Sequence, residues 1–469
     1  MLFSSFVFLS LFLPLTLACY YAVPPKARNA VLLAASMVFY AWGDFNYLGI
    51  MLGTVLVDYF GAIVLEGVPP GRPRLRKLAL ALFVSANLSV LFYFKYFNFV
   101  MDNLSAAVGL EWTLRRIVMP LGISFYTFQG LSYLVDVYRR EIPAQRDLPT
   151  LALFIAYFPQ LVAGPILKYH DVCREMECRS ETPDHFAYGA RRFVMGFAKK
   201  VLVANSMAVV ADSIFGEPAN AFGPLAAWGG AVAYSLQLYF DFSGYSDMAI
   251  GLGAMFGFHF LENFNYPYSS LSVTEFWRRW HISLSTWFKE YLYIPLGGNR
   301  VTKARNLFNL AVVFLATGIW HGAEWTFVLW GAFHGMFILL EKLTGWHKKL
   351  DGPWQRSLHR AYLLLVVVFG WVLFRADGIA YAFDYMRNMF GLLPVVATHG
   401  TAYYFTHFNC FMMLVAAILS AGACKRLLPL AAASPWRQFL LDAWLLALLV
   451  LSMSFLAGAS YNPFIYFRF

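Results

Sequence analysis

Asn309 to Leu343 is an almost uncharged run, too long for one membrane helix, with histidines embedded in it. A bilayer core takes roughly 20 apolar residues per helix, so the run holds more than one span. It contains Gly318-Ile-Trp320-His321-Gly322-Ala323 and, after Glu324-Trp325, the string Trp330-Gly-Ala-Phe-His334-Gly335. His321 falls near the middle, at or near membrane depth. An ionisable side chain there is costly and points to a functional site. The structural alternative is a neutral imidazole bonded to a backbone carbonyl inside a helix bundle.

Comparable apolar runs occupy 3–23, 29–43, 47–65, 78–101, 117–137, 149–167, 193–215, 224–256, 307–343, 361–374, 402–423 and 438–458. Some suit a kinked or paired helix. The expected fold is therefore all-α: a polytopic membrane protein of about 11–13 helices, with re-entrant or interfacial helices around a central cavity. At 60% hydrophobic and 13% charged residues the chain is far from a soluble domain. No polar stretch is long enough for a separate one, so residues 1–469 are expected to form a single integral membrane domain. Met1–Val23 has no Lys or Arg before Phe6 and reads as a retained helix, not a cleaved signal.

Basic residues collect in alternate loops: Lys26 and Arg28, then Arg72, Arg74, Arg76 and Lys77, then Arg139, Arg140 and Arg146. Between them lie loops with Asp44, Asp102 and Glu111, the last diluted by Arg115 and Arg116. The positive-inside rule then places the N-terminus outside. The net charge of +10 reads as topology and lipid contact, with no nucleic-acid partner. His170, Cys173, Cys178 and His185 cluster in a polar segment, but their spacing does not match a paired-cysteine site, so no metal is expected. No phosphate-binding G-x-x-x-x-G-K-[ST] run is present.

Residues 237–300 are unusually polar for so apolar a chain. Asp241 and Asp247 sit in or beside an apolar run with glycines at 244, 251, 253 and 257, which suits a re-entrant or broken helix. The alternative is a pair of structural carboxylates bonded to Arg278 or Arg279. Ser272-Val-Thr-Glu275 reads as a capping box opening a helix through Glu290. Trp277, Trp280, Leu284, Trp287 and Tyr291 would form one face, and Arg278, His281, Ser285 and Lys289 another. Aromatics beside arginines are what an interfacial helix shows. As chemistry, His281 would be a second imidazole at a cavity, with arginines available for phosphate.

These segments together resemble the membrane-bound O-acyltransferase superfamily, specifically its bacterial alginate O-acetylation branch. The matching strings are Phe158-Pro-Gln-Leu-Val-Ala-Gly-Pro-Ile166, Leu238 to Gly251, Thr274 to Ser285, Tyr291 to Arg300, Gly318 to Ala323 and Trp330 to Gly335. The likeness runs from Met1 to Pro463–Phe469. It implies that His321 is the catalytic histidine and His281 the second signature polar position. It also implies acetyl transfer from cytoplasmic acetyl-CoA, with no permanently bound cofactor, across the bacterial inner membrane. The acceptor lies on the periplasmic side, where the N-terminus would also lie. Implied partners are a periplasmic hydrolase-like protein, the polysaccharide biosynthesis and export complex, and membrane lipid. The segment Lys425–Arg437 is shorter than in the alginate proteins, and cellulose acetylation proteins share this architecture.

The residues suit that chemistry. Thioester-to-hydroxyl transfer needs a base near neutral pKa, which imidazole provides. The developing oxyanion needs donors, for which His281, Asn265 or a backbone N–H are candidates. Arg278 and Arg279, with Lys289, are candidates for the phosphates of coenzyme A. No G-x-S-x-G elbow marks an acyl-enzyme serine. Three other functions remain open: D-alanyl transfer to teichoic acid, a polysaccharide or lipid transporter with His321 and Asp241 on its route, and a non-enzymatic assembly protein.

Overall fold

Inside a bilayer every backbone N–H and C=O must be satisfied within the protein, which leaves apolar runs of this length the helix. The computed structural model describes residues 1–109, 116–348, 352–422, 434–458 and 461–463. Among these, all regular structure is helical. Among the described residues six stretches are long and apolar enough to cross a membrane: Pro25–Gly67, Pro73–Val108, Pro183–Phe215, Trp325–Thr344, Pro353–Arg375 and Pro435–Gly458. Phe8–Ala22 and His407–Ser420 are shorter apolar helices. The expected all-α polytopic architecture is present. Glu111, Arg115, Cys424, the Lys425–433 part of the last polar segment and residues 464–469 lie outside the described residues.

The chain divides into two compact units, one of residues 1–193 and 248–261, the other of 194–247 and 262–469. The first is built on an aromatic core in which Phe158 meets Phe12 at 5.3 Å and Phe39 at 5.6 Å between ring centroids. A Cβ on Gly251 would lie 2.5 Å from the carbonyl oxygen of Gly189, so only glycine lets these two backbones touch. The polar cluster around residue 170 is held by carboxylates and backbone. His170 Nδ1 lies 3.3 Å from Asp136 and its Nε2 2.8 Å from Asp171, while His185 Nδ1 lies 3.2 Å from the Ser180 carbonyl.

The helix Pro224–Met255, which begins in the second unit and contributes its last residues to the first, runs unbroken past Gly244 and Gly251. This corrects the broken or re-entrant reading. The glycines serve close packing: a Cβ on Gly244 would meet the Gly196 carbonyl oxygen at 2.8 Å. The carboxylates are ion-paired, as in the structural alternative, but to different partners. Asp241 pairs with Lys200 at 2.9 Å, both nearly sealed from solvent, and Asp247 pairs with Lys199 at 2.5 Å. Two adjacent lysines reach carboxylates six positions apart from a π-helical turn, Lys199–Ala204, inside the helical stretch Pro183–Phe215. Such one-turn bulges re-aim side chains and recur at functional sites.

The run that opened the sequence reading folds as two antiparallel helices, Lys303–His321 and Trp325–Thr344, followed by Pro353–Arg375. Gly318 and Gly331 allow the first two to touch, since a Cβ on Gly318 would lie 2.4 Å from the Phe327 carbonyl oxygen. Lys303, Arg305, Lys342, Lys348 and Arg356 gather at one end of these helices around the buried Glu341, while Glu324, Asp377 and the cation Arg375 mark the other.

Candidate active site

The capping box forms. Ser272 Oγ accepts from the Glu275 N–H at 3.0 Å, and Glu275 Oε2 accepts from the Leu271 N–H at 2.8 Å, one residue before the N-cap N–H that a capping box engages. A second carboxylate reinforces it: the buried Glu341 accepts from the N–H groups of Val273 and Thr274 at 2.6 and 2.9 Å. Negative charge at a helix N-terminus is favourable, so Val273–Arg279 is pinned to the helix Trp325–Thr344.

The expected continuous helix to Glu290 does not form. It stops at Arg279, passes through His281 in the left-handed region (φ 46°, ψ 56°), and restarts as Ile282–Phe288. The cause lies in the segment just upstream. The Asn265 N–H donates to the Arg279 carbonyl at 2.9 Å and the Ile282 N–H to the Asn263 carbonyl at 2.9 Å, which occupies both sides of the break. His281 turns inward, 1% exposed, and Trp277, Trp280 and Trp287 are buried with it. Of the aromatics expected on one helix face these three tryptophans are core, while Tyr291 is half-buried. Asn265, named as a possible oxyanion donor, is exposed with its backbone N–H already committed. Asn263, which the sequence reading passed over, is the buried one, its Oδ1 3.2 Å from His281 Nδ1.

His321 is the last residue of its helix and is half-buried, at a helix end and not mid-span, because Gly322 leaves in extended conformation. Its Nδ1 lies 2.7 Å from the Thr317 carbonyl one turn back. A carbonyl only accepts, so Nδ1 carries the proton of the neutral ring and Nε2 is the basic nitrogen. The ring packs on Trp330 at 4.8 Å and Phe374 at 5.4 Å. Trp320 lies between the two histidines, 5.0 Å from His321 and 6.3 Å from His281 by ring centroids. The structure thus brings the two predicted histidines to one indole. His334 is fully buried between Trp277 and Trp330, at 5.1 and 5.2 Å.

A cavity of ≈ 420 Å³ runs beside this cluster. One part of its wall carries Arg278, Lys289, Lys342, His347 and Lys348, and no carboxylate lines it. Another part is the face of the His321 helix formed by Leu310, Val313, Phe314 and Thr317. From Leu310 to Thr317 is about 10 Å along the axis, at 1.5 Å per residue. The cavity therefore includes the residue whose carbonyl holds His321, while neither His281 nor His321 is part of its lining. The two predicted arginines separate: Arg278 is in the wall, while Arg279 pairs with Glu275 at 2.5 Å and Ser269 Oγ at 3.0 Å. Lys342 and Lys348, which sequence alone did not single out, reach this wall from the last turn of the helix Trp325–Thr344 and from the turn Trp346–Lys348 that follows it.

Three residues past His321, Glu324 sits half-exposed at the start of the next helix. Burial pushes its carboxyl above the usual range, and the charge of Asp377 adds to this.

Comparison with known proteins shows the family of the chain. The profile of the MBOAT, membrane-bound O-acyltransferase family matches residues 78–383. A protein named "Probable alginate O-acetylase" from Azotobacter vinelandii is 48% identical, over 83% of this chain and 78% of its own. One of the same name from Pseudomonas putida is 42% identical over the full length of both. A peptidoglycan O-acetyltransferase from Helicobacter pylori is 35% identical over 85% of this chain and 81% of its own. The chain belongs to the membrane-bound O-acyltransferase family and is an O-acyltransferase.

Proposed function

We propose that this protein transfers acetyl groups from acetyl-CoA on the cytoplasmic side to an exported polysaccharide of the alginate or cellulose class. The observation that carries the reading is the cavity with cations on one wall and Thr317 at the foot of His321 on another. Arg278, Lys289, Lys342 and Lys348 suit the phosphates of coenzyme A. The apolar face Leu310–Phe314 suits the thioester arm. The positive-inside rule puts the basic ends of these helices in the cytoplasm and the Glu324–Asp377 ends in the periplasm. The same rule, applied to the basic loops at Arg72–Lys77 and Arg139–Arg146, puts the N-terminus in the periplasm, with the protein in the bacterial inner membrane.

In the reaction the acceptor hydroxyl oxygen attacks the thioester carbonyl carbon while its proton passes to His321 Nε2. The C–S bond breaks, the acetyl ester forms, and the same proton leaves the imidazolium for the coenzyme A thiolate. His281 completes the polar pair. A periplasmic hydrolase-like partner of the export complex takes part in delivery to the polymer.

Mass spectrometry of the exported polysaccharide, from cells with and without the protein, tests this. Loss of acetyl esters on deletion, restored by the wild-type chain, is expected. Unchanged acetylation overturns the reading.

A further inference from the structure

A histidine in an acyl-transfer site either donates or accepts at its working nitrogen, and which one it does is decided by its other nitrogen. For His281 the decision can be traced to a group whose polarity is not in question. The backbone N–H of Ser283 lies 3.1 Å from the amide oxygen of Asn263, and a backbone N–H can only donate. Asn263 Oδ1 is therefore the acceptor, and Nδ2 points to Ser246 Oγ at 3.2 Å. Ser283 Oγ gives its single proton to the same Oδ1 at 2.9 Å. His281 Nδ1, 3.2 Å from Oδ1 and 3.4 Å from Ser283 Oγ, faces two acceptors and must carry a proton. The neutral ring then has its lone pair on Nε2. That atom is buried and has no hydrogen-bond partner among the described residues. A buried polar atom in this state calls for an explanation.

Resting on the acetyl-transfer reading above, we infer that Asn263 is a positioning residue that fixes His281 as a hydrogen-bond acceptor through Nε2. His281 thus receives an O–H or N–H from substrate, and it is not an oxyanion donor in its neutral form. The acceptor hydroxyl is the group that fits, since the thioester carbonyl offers no proton. The environment around the ring leaves Asn263 in control. Phe242 at 4.6 Å, Phe264 at 6.4 Å and Trp320 at 6.3 Å carry no charge, and His321 is the titratable neighbour. The left-handed backbone at His281 belongs to the same device. A non-glycine residue is held there only where its surroundings over-determine it, and the Asn263 segment supplies that restraint.

The test is the pH profile of acetyl-CoA-dependent acetylation by the purified full chain in nanodiscs, with His321→Ala as the control for loss of the reaction itself. Asn263→Asp is nearly isosteric and still accepts from Nδ1–H and from the Ser283 N–H, so activity is retained. Its carboxylate favours the imidazolium, and the acidic limb of kcat moves to higher pH by about 1 unit or more. Asn263→Ala frees the tautomer and lowers kcat by roughly 10- to 100-fold with KM for acetyl-CoA unchanged. An unshifted limb in Asn263→Asp, or complete inactivity of that variant, overturns the assignment. If Asn263→Asp does not accumulate, Asn263→Ala decides through the same kcat and KM split. Failure of both variants to accumulate returns Asn263 to a folding role and overturns it. A wild-type protein without acetyl-CoA-dependent activity would instead remove the functional reading on which the inference rests.

Discussion

The carbonyl of Thr317 holds the Nδ1 of His321 at 2.7 Å, and the same threonine lines the cationic cavity. Whatever lies against Thr317 in the cavity therefore meets the turn of helix that orients the histidine. His321→Ala should lower acetylation by about 10² to 10⁴, the usual loss for a general base, with normal amounts of protein in the membrane. His321 is half-buried at a helix end, so alanine leaves no sealed hole. Near-normal acetylation by that variant would remove the catalytic role.

The two neighbouring arginines should behave differently. Arg278→Ala is expected to raise KM for acetyl-CoA with kcat little changed, because it takes a cation from the cavity wall. Arg279→Ala breaks a pair with Glu275 on the helix surface and should leave KM alone. Steady-state kinetics on the two proteins side by side check this, and equal KM values would count against the donor site.

The buried Lys200–Asp241 pair predicts a stability effect without a direct catalytic one. Removing one partner, as in Lys200→Met, leaves an uncompensated buried charge and should destabilise by about 3–5 kcal/mol. Replacing both, Lys200→Met with Asp241→Leu, should recover much of that loss. Thermal unfolding followed by size-exclusion chromatography in detergent reads both. A double variant no better than the single one would refute the pairing argument.

Glu324 gives a pH-dependent prediction. Its carboxyl is raised in the folded protein, so the stability tied to its neutral form is full below the unfolded carboxylate pKa. That stability is lost as pH rises through the folded value. Glu324→Gln should therefore melt like wild type at acid pH and above it at neutral pH. Melting curves across that window provide the check, and a gap that does not widen with pH would contradict it.

Single-cysteine labelling tests orientation. In a cysteine-free background, outside reagents should miss the loops at Arg72–Lys77 and Arg139–Arg146 and reach the Glu324–Asp377 end. Labelling in the reverse pattern would invert the proposed transfer direction.

Much of the helical frame was legible in sequence, because apolar length and a capping box are local properties. Ser272 and Glu275 announce their helix within four residues. What stayed hidden depends on distant partners. The break at His281 is imposed by Asn263 and Asn265, some sixteen to eighteen residues upstream, and no periodicity carries it. Asp241 and Asp247 were read as carboxylates needing cations, but Lys199 and Lys200 reach them only through a change of helical pitch. Arg278 and Arg279 look equivalent in the string, and only the three-dimensional wall separates them.

That change of pitch has a consequence for how the chain tolerates editing. One residue in an α-helix turns the chain by about 100°, so the extra residue in the turn Lys199–Ala204 sets the rotational phase of all that follows. Asn205 and Asp212, the latter bonded to Arg375 at 2.6 Å, keep their bearings only while that residue is present. Deleting any one position there would swing the rest of the helix by more than a quarter turn. The bulge is a phase-setting gear tooth: its length holds the bearing of all that follows, apart from the ion pairs that its two lysines make.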